Sequence, residues 1–186
     1  MARTSNPAVP PQVASLLALA AQAIKAGRPA DAIAPLRRAS LLQPLNATIQ
    51  HDLGLACLEA GNLADAVAAL QQAIAANPRY TDAFFRMGIA LEKQGNLAAA
   101  IAAYDRATEL LPSLTEAWFR AGALVYLLGH RDAAIGCFRR AAVTGGNTSF
   151  GRLGKARALL TEDRKSGSRT GTAQDAQARS EERNGA

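Results

Sequence analysis

Glycine recurs every 34 residues in two separate columns, Gly54, Gly88 and Gly122 in one and Gly27, Gly61, Gly95 and Gly129 in the other. Pro44, Pro78 and Pro112 keep the same interval, and so do Ala39, Ala73, Ala107 and Ala141. Four columns at one period restrict the chain to a single supersecondary unit used repeatedly. Each copy then buries its apolar face against its neighbours. The aligned windows are 13–46, 47–80, 81–114 and 115–148.

Each unit reads as helix, tight turn, helix. Window three carries Phe84, Met87, Gly88 and Leu91 at i, i+3, i+4, i+7, then a break at Gly95-Asn96, then Ala100, Ile101, Tyr104 and Ala107. Pro112 closes the second stripe, because a proline disfavours helix in the residue before it. The chain holds 43 alanines and only 5% aromatics, which favours helix over strand. The spacing predicts first helices at 13–26, 47–60, 81–94 and 115–128 and second helices at 30–42, 63–76, 97–110 and 131–143. Pro35 falls inside a second helix and is expected to kink it. Asn46-Ala47-Thr48 and Asn147-Thr148-Ser149 are expected at helix starts, where Asn, Ser and Thr side chains accept from free N–H groups. Gly at position eight and Ala at position twenty let the two helices of a pair approach closely. Phe84 and Trp118 at position four, with Tyr104 and Phe138 at position twenty-four, are expected to be buried and to fill the ends of the interface.

This pattern resembles the tetratricopeptide repeat, whose signature places a large residue, Leu, Gly, Tyr, Ala, Phe, Ala and Pro within 34 residues. Windows three and four carry it through Phe84/Trp118, Gly88/Gly122, Ala100/Ala134, Tyr104/Phe138 and Ala107/Ala141. Window two keeps Leu53, Gly54, Ala66, Leu70, Ala73 and Pro78 but has Gln50 at the large-residue place. Window one keeps Leu16, Leu19, Ala32, Leu36, Ala39 and Pro44, with Ala20 for the glycine. The resemblance implies an all-α fold, an alpha-alpha superhelix in the form of a right-handed solenoid of helix-turn-helix repeats. It gives Leu16, Leu19 and Ala20 packing roles, which argues against reading the apolar run 16–23 as a signal peptide.

The expected organisation is a disordered N-terminus at 1–12, a repeat domain at 13–160 and a disordered tail at 161–186. Within the domain the repeats are 13–46, 47–80, 81–114 and 115–146, and a capping helix follows at 147–160. Phe150, Leu153 and Gly154 repeat positions four, seven and eight two residues early. The tail contains no Leu, Ile, Val, Phe, Met, Trp or Tyr, so it cannot bury enough surface to offset its ordering entropy. The alternative is that the chain is the front of a longer array.

The net charge of +6 is not gathered into a basic stripe, so nucleic acid is not the expected partner. No stretch of 18 uncharged apolar residues occurs, so no membrane partner is expected either. Two cysteines, Cys57 and Cys137, sit in apolar helical patterns and point to a reduced, cytoplasmic setting. Gly151-Arg152-Leu153-Gly154-Lys155 lacks the glycine, hydroxyl and strand that a phosphate-binding loop needs. His51 and His130 have no partner at metal-ligand spacing. The sequence therefore predicts no enzyme, no metal and no cofactor.

What remains is a surface. Positions five, nine and twelve of the first helices form a stripe on the inner face. The stripe includes His51, Leu55, Phe85, Ile89, Phe119 and Tyr126. Position six adds Arg86 and Arg120. The stripe either packs between neighbouring repeats or holds a partner. Likewise the arginines either reach a ligand carboxylate or pair with Asp82 and Glu116 four residues earlier. The expected function is a non-catalytic scaffold binding a peptide or helix of another protein in this groove, with self-association also open. The alternative is the accessory repeat region of a bacterial sulfotransferase or glycosyltransferase whose catalytic domain is absent. The resemblance implies that a chaperone-tail clamp would need Lys and Asn where Leu17 and Ala21 stand.

Overall fold

A computed structural model describes residues 10–162, and within them all regular structure is helical. The segments expected to be disordered lie largely outside the described residues, at 1–9 and 163–186. Eight helices pair in order: α1 (Pro11–Lys25) with α2 (Pro29–Leu42), α3 (Ala47–Glu59) with α4 (Leu63–Ala76), α5 (Thr81–Lys93) with α6 (Leu97–Leu110), and α7 (Thr115–Leu127) with α8 (Arg131–Gly145). A ninth, α9, covers 149–162. The chain divides into two compact units, Met1–Leu110 and Leu111–Ala186. Unit one holds α1 to α6, and unit two holds α7 to α9.

The turns explain why each pair is a hairpin. Gly95, between α5 and α6, has φ +79, a backbone state that costs a residue with a Cβ but not glycine. Gly27, Gly61 and Gly129 repeat that state at the other three turns. The α3 start is capped as expected, with Asn46 Oδ1 accepting from the backbone N–H of Thr48 (3.1 Å) and Ile49 (3.3 Å). The segment 147–149 also starts a helix, through Thr148 rather than Asn147. Thr148 is the cap of α9, its Oγ1 accepting from Gly151 N–H at 3.2 Å. The helix α2 runs through Pro35 without a break, since its other backbone bonds and the burial of Ala32, Leu36 and Ala39 hold it.

In unit one the core follows the small residues. Ala20, Ala32, Leu36, Leu53, Ala56, Cys57, Ala66 and Ala69 form one buried cluster. Leu70, Ala73 and Ala83 form another, against which Tyr80 and Met87 pack. The expected close approach is present: a Cβ added at Gly88 would lie 2.5 Å from Tyr104 Cε1. Tyr104 is fully buried and its hydroxyl donates to Glu92.

In unit two Ala134, Phe138 and Ala158 form the buried cluster, with Phe119, Ala123, Val125 and Tyr126 partly buried against it. Trp118 is a correction. It is half-buried rather than enclosed, with its Nε1–H donating to the Pro112 carbonyl (3.0 Å) and Arg140 over its ring. Its role is therefore to anchor a loop as much as to fill a core. Gln50 in unit one does the same from the same position, its Nε2 donating to the Pro44 carbonyl at 3.2 Å. That shared bond accounts for a glutamine at a place otherwise held by a large ring.

The helix α9 begins 34 residues after Thr115, so the period is unbroken. The expected register, two residues early, does not hold. Gly151 and Ala158 are buried at positions three and ten, as Ala117 and Leu124 are in α7. The mismatch arises because Gly151 and Gly154, not Phe150 and Leu153, make the close contact: a Cβ on Gly154 would sit 2.8 Å from the Phe138 carbonyl oxygen.

Two glycines test this packing. Gly88→Val should lower the unfolding free energy by about 1–3 kcal/mol, because the Tyr104 ring has no room to withdraw. Gly136→Ala, on the exposed side of α8 with nothing near its added Cβ, should raise it by about 0.5–1 kcal/mol. Denaturant midpoints that move the same way for both would remove close approach as the determinant of helix spacing.

Candidate functional site

The inner stripe separates into supporting and open residues, and each unit has its own set. In unit one, Phe85 is buried at 5% exposure, with its ring 5.8 Å from that of Tyr104. It is core, not the exposed anchor expected from the sequence. Leu55 and Ile89 are half-buried. Arg86 lies 3.3 Å from Asp82 Oδ1 and also over the Phe85 ring, so the local helix pair forms.

His51 is the second correction. Its side chain is buried at 7% exposure instead of lining an open groove. Its Nδ1–H donates to Asp52 (3.3 Å) and its Nε2–H to Asp82 (2.7 Å), and the ring stacks on Tyr80 with centroids 4.8 Å apart. Burial opposes the charged imidazolium, yet the two carboxylates outweigh it and raise the His51 pKa from 6.5 to about 9. In return, the hydrogen bond from His51 leads the causes that hold the Asp82 carboxyl below its usual range. Burial and the same two carboxylates push the Tyr80 phenol up. The result is a charge cluster clamping α3 to α5. Asp82 was expected as the partner of Arg86 alone, and its contact with His51, beside Asp52 and Tyr80, was not foreseen. The signal was present in the period, since position five of one window faces position two of the next.

Unit two shows the same geometry with rings. Phe119 at position five lies 5.7 Å from Phe138 and 5.6 Å from Phe150, which is at position two of the following helix. Phe119 is half-buried by them. Arg120 Nε donates to Glu116 Oε1 at 2.9 Å. Tyr126 lies under Arg157 of α9, with the guanidinium 5.5 Å from its ring centroid. Tyr126, Arg157, Leu160 and Thr161 line a cavity of about 270 Å³. The structure thus brings Tyr126 together with α9 residues the sequence reading did not assign.

Among the described residues, no group of three or more His, Cys, Asp or Glu side chains is placed to hold a metal ion. No described helix is long and apolar enough to cross a membrane.

The Tetratricopeptide repeat family model matches three overlapping segments, residues 17–79, 58–115 and 85–150. Among solved structures, MamA is 31% identical with a TM-score of 0.69, covering 72% of this chain and 78% of its own. A tetratricopeptide repeat protein from Parabacteroides merdae is 18% identical with a TM-score of 0.73, covering 82% and 61%. The first TPR of Spaghetti (RPAP3), bound to the HSP90 peptide SRMEEVD, is 24% identical with a TM-score of 0.60, covering 63% and 94%. The last two likenesses show the fold alone. No curated protein sequence matches the chain.

The His51 clamp carries a pH dependence of known sign. Its folded pKa lies above the unfolded 6.5, so its stabilisation is complete below about pH 6.5 and is lost as pH rises through about 9. Thermal melts of the parent and of His51→Gln should therefore converge between pH 7 and pH 10. A constant gap between the two would mean that the imidazole is not charged in the folded state.

Proposed function

The chain belongs to the tetratricopeptide repeat family, and from that premise we propose that it is a non-catalytic scaffold that holds a peptide or helix of another protein on the inner faces of its first helices. The observation that carries the reading is the contrast along α3 and α5. Positions four and eight are buried, while Leu55 and Ile89 at position nine stay half-exposed, and Arg86 on α5 is held by Asp82. Apolar surface next to an immobilised cation is costly to leave in water and suits a partner with apolar side chains and a carboxylate. Phe85 and His51 support that surface from beneath. In unit two, Phe119, Arg120 and Tyr126 stand at the matching positions and are proposed to act in the same way.

An acidic chaperone tail of the SRMEEVD kind is not the proposed ligand, because Leu17 and Ala21 replace the lysine and asparagine of that clamp. The setting is proposed to be cytoplasmic, with Cys57 a buried thiol.

The test uses the two half-buried residues at position nine. Leu55→Asp with Ile89→Asp should abolish capture of partners from the source cell's lysate, read by mass spectrometry, while circular dichroism stays near native. Phe85→Ala is the wrong probe. It removes a buried ring and should cost about 3–5 kcal/mol of stability. Partners retained by the double variant would sink the groove reading.

A further inference from the structure

The unbroken register of α9 extends the inner stripe by one more step. Positions five, nine and twelve of this helix are Leu153, Arg157 and Leu160. All three are exposed, Leu153 at 50% and Leu160 at 59%. These follow Phe119, Ala123 and Tyr126 of α7, and the cavity beneath Arg157 lies where the two stripes meet. A leucine and a tyrosine flank the opening, and the guanidinium is held over the tyrosine ring.

Charge marks the same unit. Residues 111–162 carry seven Lys and Arg against three Asp and Glu, whereas residues 10–110 carry eight of each. Arg152, Lys155 and Arg157 lie on α9 within six residues, and Arg157 lines the cavity itself. Its one acidic residue, Glu162, is paired with Arg139 of α8 at 2.6 Å.

We propose that this cavity, with the exposed α9 face beside it, anchors an acidic peptide of another protein through an apolar side chain seated between Tyr126 and Leu160 and a neighbouring carboxylate on Arg157. This deepens the scaffold reading and rests on it, adding the chemistry of the ligand and a site on α9. The chain's own residues 163–186 are a poor occupant, since they contain no Leu, Ile, Val, Phe, Met, Trp or Tyr to enter the cavity. A second copy presenting α9 to α9 would set cations against cations. An anionic membrane would satisfy the cations but would not seat an apolar side chain between Tyr126 and Leu160.

The probe is a fluorescein-labelled peptide of alternating leucine and glutamate, with a leucine-lysine peptide as its counterpart, followed by anisotropy on the full chain. The acidic peptide should bind at least ten-fold more tightly than the basic one. Leu160→Glu and Arg157→Glu should each weaken it ten-fold or more. Arg131→Glu makes the same charge change as Arg157→Glu at the exposed start of α8 and should leave affinity within two-fold. Equal losses from Arg157→Glu and Arg131→Glu would reduce the effect to net charge and overturn the proposal. No binding of the acidic peptide would also overturn it, as would its displacement by phosphatidylserine vesicles at equivalent charge. A doubled mass in sedimentation that Leu160→Glu returns to one copy would make a second chain the occupant and overturn it too. Since Leu55 and Ile89 lie in unit one, capture that still depends on them would survive any of these failures, so the two readings fail separately.

Discussion

The structure depends on how closely the two helices of each pair can approach. At Gly88 the ring of Tyr104 occupies the space a Cβ would take. In this way a large residue on one helix is seated in a gap on the other, which is how a chain with few aromatics still closes its core. Gly54 meets Leu70 and Gly122 meets Phe138 in the same manner. The fully buried Tyr104 and Phe138 are therefore the complements of glycines, and alanines between them keep the backbones near. Such a core is intolerant of added volume and indifferent to most outer-face changes.

From that spacing follows the fate of position five. From there Phe85 and Phe119 pack on the ring at position twenty-four of their own second helix, while His51 and Phe119 also reach position two of the next first helix. His51 meets Asp82 and Phe119 meets Phe150. The same geometric slot is filled once by an ion pair and once by ring packing. A buried histidine between two carboxylates clamps α3 to α5 only while charged. The ring pair in unit two has no such dependence.

The helices, their turns and the pairing were legible because they rest on columns that a period of 34 exposes. The second-helix bounds at 63–76 and 97–110 coincide with α4 and α6. Less legible was which stripe residues are open. Phe85 and Phe119 look alike in the alignment and each packs on the ring at position twenty-four of its own window, yet one is buried and the other half-buried, a difference the period does not carry. Trp118 misled for the related reason that ring size suggested burial, whereas its N–H and the Pro112 carbonyl hold it at the rim. The α9 register was hidden because Phe150, Leu153 and Gly154 imitate a signature whose contacts are made by Gly151 and Gly154.

The same rule explains why α9 differs in use from the helices before it. Leu153 is at position five but, among the described residues, no position-two side chain follows to cover it. Leucines that would be interior one repeat earlier are therefore left at the surface, bordered by Arg152, Lys155 and Arg157. If α9 served only as a solvated cap, polar side chains would suit positions five and twelve as well as they suit positions four and seven, where Arg152 and Lys155 stand. Instead leucine occupies both inner positions, while the cations take the outer ones and position nine. Exposed leucines at both ends of the inner stripe with a cation between them, beside the cavity under Arg157, have the composition of a binding edge rather than of a plug.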